Sequence, residues 1–195
     1  MPRAFLALTL PPACRETLFG CRDAFVAADP AWAREKWVRV ENLHVTMRFL
    51  GTLPDESIGS VAAAVGEGIA GLPAFVLRLG RIRAVPGSRS ASGLWAVPSA
   101  GVGEATDLAA AIAEALAPFD IEAETHRFRP HVTLCRARRP RRVAAHAIEE
   151  AEHILVRAGD DATSVSVHGV TLFSSTLTPR GPVYEELSAM PLRSD

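Results

Sequence analysis

The chain has 195 residues, of which 48% are hydrophobic and 22% charged, and its formal net charge is −1. This composition is typical of a globular protein, and the near-zero charge argues against a long basic groove for nucleic acid. No apolar run reaches the roughly 20 residues of a membrane-spanning helix. The three cysteines form no CxxC pair, which argues against a disulfide framework. We therefore expect a cytoplasmic protein with no membrane partner.

The first half of the chain is predicted to alternate strands and helices. Its elements are a strand at 3–10, a helix at 12–28, extended segments at 36–40 and 43–51, a helix at 54–71 and a strand at 74–85. The first helix has apolar residues at helical spacing. The second begins at Pro54, carries acidic residues in its first turn and ends at Gly71, as helix ends prefer.

The second half repeats this order. It is predicted to contain a strand at 92–99, a helix at 103–118, a strand at 127–137, a helix at 141–156 and strands at 164–175 and 181–190. The segment "GSRSASG" at 87–93 is the best candidate for a joint between the halves. The repeat predicts one α+β domain over 1–195, with two similar lobes related by a pseudo-twofold axis. Each lobe is expected to be an antiparallel sheet with helices on one face, with a cleft between the lobes.

The tripeptide His-Val-Thr occurs once in each half, at 44–46 and at 131–133. Successive side chains on a strand point to opposite faces. One face is therefore predicted to carry His44, Thr46 and Arg48 in the first motif, and Arg129, His131, Thr133 and Cys135 in the second. Met47 and Phe49 are expected on the opposite face of the first motif strand. Two such polar strips facing across a cleft would surround one anion.

Two imidazoles beside one phosphorus atom are suited to acid–base catalysis. With an ordinary pKa of about 6.5, one imidazole can accept a proton from the attacking group while the other protonates the leaving oxygen. Threonine hydroxyls can donate to the non-bridging phosphate oxygens. This arrangement needs neither a nucleophilic side chain nor a metal.

Less specific interpretations remain open. A single His-x-Thr on a strand is more often a structural histidine bonded to a backbone carbonyl. A metal site would use His44 and His131, together with His126 and Cys135, but histidine ligands of zinc usually occur as close pairs. Tyr184 is the only tyrosine and can belong to the core or to the site. Trp37 and Trp95 are expected in the core rather than as platforms for bases. His146, His153 and His168 are expected on the surface or in support of the site residues.

The chain resembles the 2H phosphoesterase superfamily, and within it the RNA 2',3'-cyclic phosphodiesterases, also called 2'-5' RNA ligases. The likeness rests on "WVRVENLHVTMRFLG" and "FRPHVTLCR", with "RAFLALTLP" at the start and "GPVYEELSAMPL" near the end. It implies an active-site cleft between the two lobes, lined by both His-x-Thr motifs. It also implies hydrolysis of a 2',3'-cyclic phosphate at the 3' end of an RNA to a 2'-phosphomonoester. No cofactor, no metal and no obligate protein partner are implied, and we expect a monomer.

The resemblance also assigns roles to residues. His44 and His131 would be the catalytic pair, with His44 as the acid and His131 as the base, and Thr46, Thr133 and Arg136 would bind the phosphate. Further candidate substrate contacts are Arg48, Arg129 and Tyr184. Strict alternation turns Arg136 away from His131, so a bulge or twist is required for it to reach the phosphate.

Other functions within and beyond this superfamily stay open. A related enzyme would act on a small cyclic nucleotide phosphate such as ADP-ribose 1'',2''-cyclic phosphate, or would join RNA ends through a 2'-5' bond. A non-catalytic protein of this fold would only bind a phosphorylated end.

Overall fold

A computed structural model describes residues 3–122, 126–179 and 181–193. In chain order its elements are β1 (Arg3–Thr9), α1 (Pro12–Ala28), β2 (Lys36–Trp37), β3 (His44–Thr52), α2 (Ile58–Ile69), β4 (Phe75–Val85), β5 (Ala91–Ala100), α3 (Val102–Ala115), β6 (Val132–Arg141), α4 (Ala145–Thr163), β7 (Ser164–Val167), β8 (Gly169–Thr178) and β9 (Gly181–Pro191). The predicted order of strands and helices is confirmed. Short 3-10 helices precede β2, β3 and α2.

Three predicted strands differ from the observed ones. The extended segment predicted at 36–40 is a strand only over Lys36–Trp37, and Val40 begins a short 3-10 helix. The second motif strand begins at Val132 rather than at residue 127, so Arg129 and His131 lie in the preceding loop. Pro130 has no N–H to donate to a ladder, which explains the late start. The strand predicted at 164–175 is divided into β7 and β8 at His168.

The strands form one curled antiparallel sheet with the two motif strands side by side near its centre. The order is β7-β4-β5-β6-β3-β1-β8-β9, with β2 paired to β6. Read outward from the middle, the pairs β6 and β3, β5 and β1, and β4 and β8 occupy equivalent positions. This arrangement is the α+β fold with a pseudo-twofold relation that the repeated sequence order predicts.

The two halves of the chain exchange strands that follow their second helices. β4 follows α2 but pairs with β5 of the second half, and β8 pairs back with β1. Residues 87–93, the expected joint, form the turn between β4 and β5 and the beginning of β5. Each side of the sheet is therefore built from both halves of the chain.

The helices cover one face of the sheet in two pairs, α1 with α4 and α2 with α3. On α1 the buried side chains are Cys14, Leu18, Cys21 and Phe25, which lie along one side of the helix. Leu6, Val45, Leu94 and Val132 point from the sheet into the same core. None of the described helices combines the length and the apolar character needed to cross a lipid bilayer. The opposite face of the sheet, which we call the cleft face, carries the histidine and the threonine of each motif.

Candidate active site

The two motif histidines approach each other because β3 and β6 are neighbours. His44 is the first residue of β3, and His131 directly precedes β6. The strands meet at the antiparallel pair Val45–Val132. Since each valine follows its histidine, this register sets each histidine opposite the threonine of the other motif. Both His-x-Thr motifs thus lie together, as the sequence predicts.

Both imidazoles are held in the same way. The Nδ1 atom of His44 lies 2.7 Å from the carbonyl oxygen of Asn42, and that of His131 lies 2.7 Å from the carbonyl oxygen of Arg129. A carbonyl only accepts, so Nδ1 carries the proton and donates in both rings. Each Nε2 is then the atom that gains or loses a proton in the site. The Thr46 hydroxyl lies 3.0 Å from Nε2 of His44 and can donate to it.

The aromatic surroundings of the two rings differ. Trp95 stacks on His131, with ring centroids 3.7 Å apart and an interplanar angle of 17°. It is half-buried on the cleft face rather than enclosed in the core. Phe5 and Tyr184 flank His44, with centroids 4.9 and 5.4 Å from the imidazole. The pseudo-twofold relation therefore extends to the histidines but not to the rings that pack on them.

Burial lowers the pKa of both histidines. Burial is the largest cause for both His44 and His131, because it removes water that would stabilise the charged imidazolium. The backbone carbonyls of Asn42 and Arg129 oppose this effect by accepting from the rings. The positive charge of Arg136 lowers both pKa values further. The site thus favours neutral imidazoles when it is empty.

A β-bulge in β6 returns Arg136 to the cleft face. Thr133 pairs with Trp95 and Cys135 pairs with Leu94, so β6 uses one extra residue, Leu134, against β5. An extra residue inverts the alternation that follows it. Cys135 is fully buried beside Leu134, and its prediction on the polar face is wrong. Burial raises the pKa of its thiol to about 12, which leaves it unreactive.

A matching bulge occurs in β3. Thr46 pairs with Ala7 and Arg48 with Leu6, which leaves Met47 as the extra residue. Leu6 points into the core, so Arg48 lies on the helix side and its prediction beside His44 is wrong. Its guanidinium donates to the carbonyl oxygen of Glu122 at 2.7 Å. Phe49 takes the cleft-face position instead, 57% exposed, with its ring 6.3 Å from that of Phe5.

Other candidates have separate positions. Arg129 contributes its backbone carbonyl to His131, and its side chain is exposed. Burial raises the pKa of Tyr184, and the positive charge of Arg136 lowers it by a smaller amount. Tyr184 therefore lies near the same charge that acts on the two histidines. Within the described residues, no three His, Cys, Asp or Glu side chains come together as a metal site. His126, one of the suggested metal ligands, is exposed.

Asn42 is a site residue that the sequence did not single out. Its Nδ2 atom donates to the carbonyl oxygen of Pro182 at 2.8 Å, while its own carbonyl fixes His44. It is buried, with 8% of its surface exposed. Asn42 therefore ties the β8–β9 hairpin to the histidine, and both line a pocket of about 540 Å³.

Comparison with known proteins identifies the family. A family model described as the 2'-5' RNA ligase superfamily matches residues 23–178. The chain belongs to this superfamily. The membership predicted from the two motifs is confirmed, and the match includes both of them.

Curated relatives carry one name. A protein of Aeropyrum pernix named RNA 2',3'-cyclic phosphodiesterase is 31% identical over 155 residues, covering 78% of this chain and 83% of the relative. A protein of Methanothermobacter thermautotrophicus with the same name is 26% identical over 198 residues, covering 97% and 98%.

Solved structures share the superfamily fold. TT0787 of Thermus thermophilus matches with a TM-score of 0.75 and 25% identity, covering 99% of each chain. E. coli LigT complexed with 3'-AMP matches with a TM-score of 0.72 and 22% identity, covering 98% of each chain.

Proposed function

We propose that this protein hydrolyses the 2',3'-cyclic phosphate at the end of an RNA to a 2'-phosphomonoester, by acid–base catalysis without a metal. The observation that carries the proposal is the matched orientation of His44 and His131. Both rings donate from Nδ1 to a backbone carbonyl, which leaves two Nε2 atoms for proton transfer. The names of the curated relatives support the same activity.

The reaction needs a base and an acid on opposite sides of phosphorus. Nε2 of His131 accepts a proton from a water molecule, whose oxygen forms the new bond to phosphorus. The bond from phosphorus to the 3'-oxygen breaks, and Nε2 of His44 supplies the proton to that oxygen. The 2'-ester stays intact, and the proton passes back through solvent after product leaves.

Three further side chains assist the phosphate. Thr46 and Thr133 donate hydroxyl protons to its non-bridging oxygens, where charge increases in the transition state. Arg136 is exposed on the cleft face and donates to the same oxygens through its planar guanidinium. Because one chain supplies all five groups, we expect the monomer to be active.

A product analysis tests this proposal. Wild-type protein is incubated with a short RNA ending in a 2',3'-cyclic phosphate, with EDTA, and the product is identified by phosphorus NMR. We expect a 2'-phosphomonoester at an undiminished rate. His44→Ala and His131→Ala should each lose most of the turnover. His153→Ala is the matched control, since His153 is an exposed residue of α4.

Other results would contradict the proposal in distinct ways. A 3'-phosphomonoester product would show that the 2'-oxygen, and not the 3'-oxygen, is the leaving group. Turnover abolished by EDTA and restored by zinc would replace the two-histidine mechanism with a metal mechanism. Binding of the RNA without any turnover would leave only a phosphate-end binding protein.

A further inference from the structure

The pocket beside His44 is large enough for more than a phosphate. Its volume is about 540 Å³, within the roughly 300–1,000 Å³ range of small-molecule sites. Phe5, Phe173 and Tyr184 supply aromatic walls, and the Phe5 ring lies 5.5 Å from Phe173 and 4.9 Å from Tyr184. Aromatic walls of this kind accept the flat face of a nucleobase.

The two histidines differ in the space beside them. His44 lines this pocket, whereas the flat face of His131 is covered by Trp95. The bulky part of a substrate therefore fits on the His44 side of the phosphorus, and the small attacking water fits on the His131 side.

The rim of the pocket carries one arginine that is not neutralised. Arg39 is paired with Glu41 at 2.6 Å. Arg15 lies in the first turn of α1, half-buried, and its guanidinium makes no hydrogen bond or ion pair with any described residue. A guanidinium without a carboxylate partner is suited to a phosphate, to which it can donate two hydrogen bonds.

We propose that the terminal nucleoside occupies this pocket and that Arg15 binds the phosphodiester joining it to the preceding nucleotide. The inference rests on the proposed function, because it takes the cyclic phosphate to lie between His44 and His131. It adds a binding subsite for the RNA chain, separate from the position where the cyclic phosphate reacts. The protein would then distinguish an RNA end from a mononucleotide by the negative charge of the phosphodiester that joins the last two nucleotides of the RNA.

The test compares substrates that differ only in that charge. The substrates are a 2',3'-cyclic mononucleotide, the dinucleotide ending in the same cyclic phosphate, and that dinucleotide with a neutral methylphosphonate linkage. The quantity measured is the ratio of kcat/KM for each dinucleotide to kcat/KM for the mononucleotide. The variants are Arg15→Ala, Arg15→Lys and the control Arg157→Ala, whose arginine is exposed on α4 and outside the pocket.

Wild-type protein should prefer the charged dinucleotide, mainly through a lower KM. Arg15→Ala should lower the ratio for the charged dinucleotide about 10- to 100-fold, the usual effect of a hydrogen bond to a charged group. Arg15→Lys should restore part of it, and Arg157→Ala should match the wild type. The neutral linkage should lower the wild-type ratio similarly, and Arg15→Ala should add no further loss.

Two outcomes would overturn the proposal and are distinguishable. If wild-type protein hydrolyses the mononucleotide and both dinucleotides with equal kcat/KM, or if Arg15→Ala leaves the ratio unchanged, the Arg15 subsite is wrong while the proposed function stands. If wild-type protein hydrolyses none of the three substrates, the proposed function fails and this subsite fails with it. Where the Arg15 variants do not fold, equal kcat/KM of wild-type protein for the charged and neutral dinucleotides still overturns the proposal.

Discussion

Arg136 is the side chain whose charge acts on both histidines. Its guanidinium lowers the pKa of His44 and of His131, in the same direction as burial. Both pKa values therefore lie below the ordinary 6.5 in the empty site. A bound phosphate anion acts in the opposite direction and favours the protonated acid. In the proposed mechanism the same arginine would bind the phosphate, and in the free enzyme its charge favours neutral imidazoles.

The pH dependence of kcat/KM follows from these directions. The proposed mechanism requires one imidazole neutral and the other protonated, so the rising and falling limbs would report the two pKa values of the free enzyme. Because both are lowered, we expect a bell-shaped profile with its optimum on the acid side of neutrality. Arg136→Gln removes the positive charge, so both limbs should move to higher pH while the rate falls.

Arg136→Lys and Arg138→Gln are the matched variants for that profile. Lysine keeps the charge and should keep the positions of both limbs. Arg138→Gln removes a neighbouring exposed charge of β6 and should leave the limbs unmoved. Limbs that stay fixed in Arg136→Gln would show that Arg136 does not act on the histidines.

The β8–β9 hairpin is the element that closes the pocket beside His44. Its Pro182 accepts a hydrogen bond from Asn42, and the hairpin carries Tyr184 to the imidazole of His44. Since the partners are 140 residues apart in sequence, this contact depends on the folded sheet. The contact therefore links the orientation of the His44 ring to the position of the pocket wall.

Removing the Asn42 side chain should loosen this hairpin. Asn42→Ala leaves the Pro182 carbonyl without its donor, which should lower the free energy of unfolding by about 1–3 kcal/mol. The kcat/KM should also fall, because Tyr184 and the pocket wall lose their fixed position. Urea unfolding and kinetics measure both effects. Thr106→Ala is the control: it removes a side-chain hydroxyl that donates to the Val102 carbonyl within α3, far from the pocket, and it should leave kcat/KM unchanged.

The strands and helices could be predicted from the sequence because they depend on local periodicity. Along each motif strand, the face that a side chain occupies could be predicted only up to Thr46 and Thr133, because a bulge follows each threonine. Met47 and Leu134 are ordinary apolar residues of apolar strands, and no local signal marks them as bulges. One extra residue then inverts every position beyond it. The sequence therefore located the histidines correctly, but not Arg48, Phe49 or Cys135.

At the scale of the whole molecule, the exchanged strands make the two halves of the chain interdependent. Both partners of β4, the strands β5 and β7, belong to the second half. β1 in turn pairs with β8. The order of elements repeats locally and was predictable, whereas the exchange is a long-range choice that no local pattern specifies. The pocket beside His44 is equally long-range, since its walls come from residues near both ends of the sequence.

A split protein tests this interdependence. Cleaving the chain between Ser88 and Arg89 opens the turn between β4 and β5, an exposed site where a break is tolerated. We expect neither fragment to unfold cooperatively alone, because β4 loses both of its partners. An equimolar mixture should regain the far-ultraviolet circular dichroism and part of the activity of the intact protein. A cooperatively folded first fragment would contradict the exchange of strands.

We propose that His44 and His131 act as acid and base on opposite sides of one phosphorus atom. The most direct test measures kcat/KM of His44→Ala and His131→Ala on an RNA whose cyclic phosphate carries sulfur in place of the bridging 3'-oxygen. A thiolate leaves without needing a proton, so the general acid becomes nearly dispensable. We predict that His44→Ala regains much of its lost rate while His131→Ala stays inactive. Rescue of His131→Ala instead, or of neither variant, would contradict these roles.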